Sequence, residues 1–172
     1  MDTRTFLRQM CALGANCVVD AIGYHPYTYP YLPTFSGSWA TAWNKIAQTS
    51  VSMVSILAHY GTPDLPLWLT EYGAPSPSSA GADLTDQVTE TRQAEMATSA
   101  VSAVLSSRSI GALFWYTDQD LPGNRPLDHY GLRRSNGTAK PAFAALRQAI
   151  LGARAISGRH SAAGGSGSVS KR

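Results

Sequence analysis

Short apolar runs alternate along this chain with longer segments in which apolar residues recur at helical spacing. Runs of about four to eight apolar residues, bounded by turn residues, are typical of strands buried on both faces. Apolar residues three and four positions apart indicate amphipathic helices. The pattern predicts strands at residues 17–25, 66–71 and 110–116, and helices at residues 3–13, 39–60, 85–108 and 141–151.

The predicted helix ends have recognisable local signals. Gly14 and Gly61 are expected to end the first two helices, since glycine is favoured just after a helix. Thr85 is the expected N-cap of the third helix, and Pro141 is well tolerated in the first turn of the fourth.

Polar and aromatic residues collect where each predicted strand ends. They are Tyr24, His25 and Tyr27 at the first strand, Glu71 and Tyr72 at the second, and Trp115, Tyr116 and Asp118 at the third. Strands that alternate with long helices form a parallel sheet with right-handed crossovers. The carboxyl ends of such strands line the binding cleft. We therefore expect Glu71 to lie on the floor of a cleft.

The chemistry of this group suits a sugar. An aromatic ring stacks on the apolar face of a pyranose, a carboxylate attacks or stabilises an oxocarbenium-like centre, and a phenol keeps that carboxylate in place and charged. Taken singly, Glu71 also fits a structural ion pair, His25 a core or loop histidine, and Trp115 core packing. Their shared position at three successive strand ends favours a functional site.

Three segments resemble a known family: DAIGYHPYTYP, PLWLTEYGAPS, and GALFWYTDQD followed by YGLRRSNGTAKPAFAAL. In this order and spacing they resemble the last three strand–helix units of a retaining β-glycoside hydrolase of the large (β/α)8 superfamily, in particular cellulase-like families. The resemblance covers residues 5–152. It implies an α/β fold, namely a partial TIM (β/α)8 barrel in which the three strands are strands six to eight.

The resemblance also implies roles for individual residues. Glu71 corresponds to the catalytic nucleophile at the end of strand seven. His25 and Tyr27 correspond to residues of strand six that bind the sugar, and Tyr27 or Tyr24 would orient the nucleophile. Trp115 corresponds to the strand-eight tryptophan beneath the sugar. The implied activity is hydrolysis of O-glycosyl bonds in a β-linked polysaccharide or oligosaccharide, with no cofactor.

One part of the family pattern is missing. Retaining enzymes need a second carboxylate, the acid/base, about 5–5.5 Å from the nucleophile, and in this family it follows an asparagine at the end of strand four. The chain has no Asn-Glu pair, and its other glutamates, Glu90 and Glu95, fall on a predicted helix. Asp118 and Asp120 follow strand eight and are expected near the sugar, but they are not the expected acid.

We therefore expect the C-terminal part of a larger enzyme, weak or inactive alone. Residues 1–152 would form the barrel portion, and residues 153–172 a disordered, basic, Gly/Ser-rich tail. The outer strands would have open edges, which invite association. The expected protein partner is a complementing N-terminal half, or a second copy bound through these edges.

Charge and motifs argue against other classes of partner. The net charge is +3, but residues 129–172 hold eight Lys and Arg and no acidic residue, so the basicity belongs to the C-terminal helix and tail. No aromatic-basic module, GxGxxG or GxxxxGK[ST] element occurs, which gives no support to a nucleic-acid or nucleotide ligand. No apolar stretch reaches the about 20 residues that span a bilayer. We expect no membrane partner.

Neither a metal site nor a disulfide framework is predicted. The four histidines are scattered, and Cys11 and Cys17 match no zinc-binding spacing, so both cysteines are expected to be buried free thiols. The N-terminus has no apolar segment of a secretory signal, although the family suggests a secreted enzyme; the localisation is left open.

Two other functions stay open at this point. A non-catalytic carbohydrate-binding remnant would keep the aromatic cleft of Tyr27 and Trp115 without the chemistry. A decayed gene product would be an α/β fragment with no present function.

Overall fold

The computed structural model of the protein describes residues 1–77 and 86–163. It is a mixed α/β structure in which three parallel strands lie side by side in the order β1-β2-β3. The strands are β1 (Ile22–Tyr24), β2 (Leu67–Tyr72) and β3 (Ile110–Trp115), and the helices are α1 (Thr3–Ala12), α2 (Met53–His59), α3 (Glu90–Leu105) and α4 (Pro141–Ala163), with short 3-10 turns at Ala15–Cys17 and Pro126–Asp128. The predicted parallel sheet of three strands is confirmed.

The two faces of this sheet have different environments. Leu67, Leu69 and Tyr72 of β2 are fully buried in a core that also contains Leu7 of α1, Met53 and Leu57 of α2, and Met96 of α3. On the other face, which we call the open face, Trp68 of β2 is 43% exposed and Phe114 of β3 is 51% exposed. Among the described residues, the helices therefore cover one face of the sheet.

The helix predicted at residues 39–60 is wrong over most of its length. The chain forms turns up to residue 51, and only Met53–His59 is helical. Asn44 explains the difference, because its Oδ1 accepts from both the backbone N–H and the hydroxyl of Thr41 at 2.8 Å. Such local bonds from side chain to backbone compete with the helix. Ser52 then begins α2 with a capping box that it shares with Ser55.

Other boundaries differ by smaller amounts. The first strand is shorter than predicted, because residues 15–17 form a 3-10 turn and β1 begins at Ile22. The predicted N-cap Thr85 lies outside the described residues; α3 begins later, at Glu90, where the Thr89 side chain accepts from the Arg92 N–H. Gly14 does follow α1 and adopts a φ of 80°, a left-handed conformation that favours glycine.

Two further expectations need correction. Cys11 is buried as predicted, but Cys17 is exposed; both are free thiols. The last helix does not end at residue 151 but continues to Ala163. The first part of the predicted disordered tail is therefore helical, and residues 164–172 lie outside the described residues.

Within the described residues, no helix is long and apolar enough to cross a membrane.

Candidate active site

Glu71 lies at the carboxyl end of β2, where side chains from the segment after β1 converge on it. The Tyr27 hydroxyl donates a hydrogen bond to Glu71 Oε2 at 2.9 Å. The Nδ1 atom of His25 lies 3.5 Å from the same oxygen, and the other ring nitrogen, Nε2, is 3.0 Å from Thr70 Oγ1. The side chains of Glu71 and His25 are both partly exposed. The structure thus brings together three of the residues that the sequence singled out.

The parallel pairing of β1 and β2 produces this arrangement. Tyr24 pairs with Leu69. His25 follows Tyr24 and Thr70 follows Leu69, so these two residues also lie side by side. An irregularity in the ladder between β2 and β3 falls between Leu69 and Tyr72. A bulge of this kind re-aims side chains: Leu69 and Tyr72 are both buried, while Thr70 and Glu71 between them are not.

Aromatic rings surround the Tyr27–Glu71 contact. Tyr27 packs edge-to-face against Tyr29 and Tyr130, with ring centroids 6.4 and 5.7 Å apart. The Tyr130 hydroxyl donates to the Tyr29 hydroxyl at 2.8 Å, and Tyr116 packs on Tyr130 at 5.6 Å. Burial, and next the hydrogen bond to Glu71, raise the pKa of Tyr27 well above its usual value. The phenol therefore stays protonated and acts as a donor to the carboxylate.

Tyr24 is not part of this group. Its side chain is buried on the helix side, where its hydroxyl donates to the backbone oxygen of Ala42 at 2.9 Å. Burial raises the pKa of Tyr24 to about 12. The suggestion that Tyr24 orients Glu71 is wrong, because alternate residues of a strand point to opposite faces of the sheet. Tyr27 makes that contact instead.

Trp115 is also on the wrong face to lie beneath a sugar. It pairs with the buried Tyr72, packs edge-to-face on that ring at 5.9 Å, and its Nε1 donates to the Tyr130 backbone oxygen at 3.3 Å. It lines an apolar cavity of about 260 Å3 between α3, β3 and α4, together with Val101 and Leu146. The structure therefore assigns Trp115 to packing beneath the helices, the reading that the sequence left as its alternative.

Tyr116, the next residue, has the exposure expected of a cleft residue. It is 41% exposed, packs on Tyr130, and its N–H donates to the Tyr72 backbone oxygen at 2.9 Å. Gly73 permits this approach, because a Cβ on residue 73 would overlap the Tyr116 backbone oxygen. Alternate residues of a strand face opposite sides of the sheet, so Tyr116 is on the same side as the exposed Phe114, and Trp115 is on the other.

The two aspartates after β3 have separate environments. Asp120 is 4% exposed and Lys140 1% exposed, and the Lys140 Nζ lies 2.8 Å from Asp120 Oδ2. Asp120 Oδ1 also accepts from the Gly131 N–H at 2.7 Å. Asp120 is therefore a buried structural ion and does not approach a sugar. Asp118 is exposed, and Arg133 Nε lies 3.4 Å from its Oδ1.

The other glutamates lie on α3, and each forms an ion pair with an arginine. Glu90 forms a two-point ion pair with Arg134, at 2.6 and 3.0 Å. Glu95 pairs with Arg92 at 2.8 Å. Glu71 thus has no second glutamate beside it. Across the parts of the chain that the structure describes, no group of three His, Cys, Asp or Glu is arranged to hold a metal ion.

Comparison with known proteins shows the family and the fold. The family model of the glycosyl hydrolase catalytic core matches residues 3–143. No curated protein matches the chain. Among solved structures, a family 39 glycoside hydrolase from Bacteroides cellulosilyticus WH2 is 23% identical, with a TM-score of 0.54, over 83% of this chain and 29% of its own.

Two further structures share the fold at lower identity. A GH2 β-galacturonidase from Eisenbergiella tayi is 14% identical, with a TM-score of 0.57, over 77% of this chain and 24% of its own. A GH5_18 enzyme from Bifidobacterium longum subsp. infantis is 18% identical, with a TM-score of 0.50, over 77% of this chain and 30% of its own. The chain spans less than a third of the length of the solved structures it matches.

The family model covers most of the chain, so the chain belongs to the glycosyl hydrolase catalytic core family. Its mixed α/β fold with a parallel sheet of three strands is similar to that of glycosidase barrels.

Proposed function

We propose that this protein contributes the nucleophile side of a retaining β-glycosidase site that acts on a β-linked polysaccharide or oligosaccharide. The observation that carries the proposal is the hydrogen bond from the Tyr27 hydroxyl to Glu71 Oε2. A donor on one oxygen of the carboxylate fixes its orientation. Because Tyr27 and His25 both approach Oε2, we assign Oε1 as the attacking atom.

The chemistry then proceeds by displacement at the anomeric carbon. Glu71 Oε1 forms a bond to this carbon as the bond to the leaving oxygen breaks, and the leaving oxygen takes the electron pair and a proton from an acid. Water hydrolyses the resulting glycosyl ester. On α3, Glu90 forms an ion pair with Arg134 and Glu95 forms one with Arg92. We therefore propose that the acid/base comes from upstream strand–helix units, in a longer chain or in a partner.

Tyr116 is the aromatic residue that we propose for contact with the sugar. Its ring is partly exposed and packs on Tyr130, which in turn packs on Tyr27. An exposed ring next to the nucleophile is suited to stack on the apolar face of a pyranose. His25 is within reach of the same sugar and is partly exposed, which supports the sugar-binding role expected of it.

A trapping experiment tests the nucleophile without the missing acid. The protein is incubated with 2-deoxy-2-fluoro glycosides of gluco, galacto and manno configuration that carry a dinitrophenyl leaving group. Dinitrophenolate departs without protonation, so only a positioned nucleophile is required. We expect intact mass spectrometry to show one added fluorosugar, and peptide mapping to place it on Glu71.

Two variants make the result specific. Glu71→Gln should give no adduct, whereas Glu95→Gln, which removes an exposed carboxylate on α3, should be labelled like the wild type. An adduct on another residue, or none with any of the three reagents, would contradict the assignment of Glu71.

A non-catalytic carbohydrate-binding role is the second candidate. It is favoured by the ion pairs of Glu90 with Arg134 and of Glu95 with Arg92, which engage the other two glutamates in structural contacts. Glycan binding that is unchanged in Glu71→Gln, together with no labelling of the wild type, would support this role over catalysis.

A further inference from the structure

Three aromatic rings form an exposed cluster between β1 and α2, in a segment that the proposed catalytic site does not use. Tyr31 lies 4.7 Å from Phe35 and 4.9 Å from Trp39, and Phe35 lies 5.2 Å from Trp39, measured between ring centroids. Tyr31 is 37% exposed and Trp39 is 49% exposed. Clustered exposed aromatic surface commonly marks an interaction site.

An open polar cavity adjoins these rings. It has a volume of about 310 Å3 and is lined by Ser36, Gly37, Ser38, Trp39, Ala40, Asn44 and Gln48. Serine, asparagine and glutamine residues therefore line the same cavity as an aromatic residue. Small-molecule sites combine an apolar surface with a few placed polar groups in this way, and their volumes begin at about 300 Å3.

Buried Asn44 fixes the floor of the cavity. Its amide NH2 donates to the Phe35 backbone oxygen at 3.0 Å and to Gln48 Oε1. This bond engages Oε1 of Gln48 and orients the amide. The NH2 group of the exposed Gln48 side chain can then donate to a ligand. Gly37 permits the compact form of the cluster, since a Cβ on residue 37 would overlap the Phe35 ring.

We propose that this surface, the Trp39 site, binds an uncharged hexose unit of a polysaccharide. The C–H face of a sugar ring packs on an aromatic ring, and its hydroxyls pair with amides and serine hydroxyls. None of the residues that line the cavity is charged, which favours a neutral polyhydroxylated ligand over a nucleic acid or an anionic one.

The Trp39 site is separate from the Glu71 site. The two sites consist of different residues, and the segment of the cluster packs on α3, through Arg92 to the Pro30 backbone oxygen and Thr34 to Ser99. The proposal rests on the carbohydrate substrate of the family and does not depend on the role of Glu71. A bound chain would be held here while another stretch of it reaches a catalytic cleft.

Affinity electrophoresis of the full 172-residue chain carrying Glu71→Gln tests the proposal. Native gels contain hydroxyethylcellulose, galactan or galactomannan, which are neutral polysaccharides with three different hexose backbones. We expect at least one polymer to slow migration, and Trp39→Ala to raise the apparent Kd about tenfold, as the loss of one stacked ring predicts. Gly37→Ala, which displaces the Phe35 ring, should also weaken binding.

Trp68→Ala is the matched control, because Trp68 is similarly exposed but lies on the open face of the sheet; it should migrate like the parent. Circular dichroism checks that each variant is folded. No retardation by any polymer, binding unaffected by both Trp39→Ala and Gly37→Ala, or an equal loss in Trp68→Ala would each overturn the proposal. In the chain with Glu71 intact, Trp39→Ala should leave fluorosugar labelling unchanged, which separates this site from the proposed nucleophile.

Discussion

Tyr27, in the loop after β1, donates a hydrogen bond from its hydroxyl to Glu71 Oε2, at the end of β2, over 2.9 Å. The two residues are 44 positions apart in the sequence, and only the parallel pairing of β1 with β2 brings them together. Tyr24, three residues before Tyr27, has its hydroxyl on the Ala42 backbone oxygen instead.

The pair Tyr27→Phe and Tyr24→Phe tests which tyrosine supports the nucleophile. Each variant removes one hydroxyl that donates a hydrogen bond, so each should lower the free energy of unfolding by about 1 kcal/mol. Only Tyr27→Phe should slow labelling of Glu71 by the fluorosugar, by about tenfold or more for the loss of a bond to a charged group. The same effect in Tyr24→Phe would contradict the separation of their roles. Labelling rates and urea unfolding curves provide the two measurements.

A second pair of variants distinguishes the two faces of β3. Trp115→Ala empties a packed position between α3 and α4, so we expect the free energy of unfolding to fall by about 2–3 kcal/mol, somewhat less than for a fully buried tryptophan. Tyr116→Ala removes a partly exposed ring, so it should lower the free energy of unfolding by less than Trp115→Ala does. It should also raise the fluorosugar concentration at which labelling reaches half its maximal rate.

The comparison fails if Trp115→Ala stays as stable as the wild type and loses labelling, because Trp115 would then be the residue that contacts the sugar. Thermal unfolding, followed by labelling at several reagent concentrations, measures both properties on the same samples.

The buried ion pair of Lys140 and Asp120 predicts a non-additive effect on stability. Lys140 Nζ also donates to the Ser76 and His129 backbone oxygens, at 2.9 and 3.0 Å, so it joins α4 to the loops after β2 and β3. Lys140→Met removes the lysine partner of the buried Asp120 charge, although the Gly131 N–H and, at 3.7 Å, His129 Nδ1 stay beside it, and should cost about 3 kcal/mol.

Adding Asp120→Asn to Lys140→Met should recover part of that loss, because the amide carries no charge and its oxygen still accepts from the Gly131 N–H. A double variant less stable than Lys140→Met would show that the charge of Asp120 is not the source of the cost. Urea denaturation of both single variants and the double variant gives the coupling energy.

Stability should also fall at alkaline pH because of the buried tyrosines. Burial raises the pKa of Tyr24 to about 12 in the folded protein, against about 10 in an unfolded chain. Between these values the unfolded state has lost the proton that the folded state keeps, so the free energy of unfolding decreases as pH rises from about 10 to about 12.

Tyr24→Phe should make this part of the stability curve shallower, since one of the linked protons is removed. An identical slope in Tyr24→Phe and the wild type would contradict the burial argument. Urea unfolding at intervals of half a pH unit is sufficient to measure it.

Much of the framework was predictable from the apolar pattern. Leu67, Leu69 and Ile110 lie in runs that are long enough for strands and too short for helices, and all three are buried in the observed sheet. The position of Glu71 at a strand end followed from the abrupt change to polar residues there. The end of a strand and the change from apolar to polar residues there are local features, so they can be read directly from the sequence.

The prediction of a helix at residues 39–60 was wrong because local hydrogen bonds and a tertiary contact together favour turns in this segment. An apolar stripe was present, but the hydrogen bonds of Asn44 with Thr41 and with the Phe35 backbone oxygen stabilise turns instead. Which side-chain bonds form depends on how the segment packs on Tyr72 through Trp43, and this is a tertiary contact.

By itself the sequence determined that three strands end in a carboxylate, a histidine and aromatic rings, because burial requires apolar runs and a cleft requires polar ends. The tertiary structure decided which of those residues meet. A shift of one residue moves a side chain to the other face of a sheet. The ladder irregularity between Leu69 and Tyr72 therefore directs Glu71 towards Tyr27. The alternation of side chains along β3 directs Trp115 towards the helices and leaves Tyr116 exposed. Neither outcome depends on residue type, since both depend on register between strands about 40 residues apart in the chain.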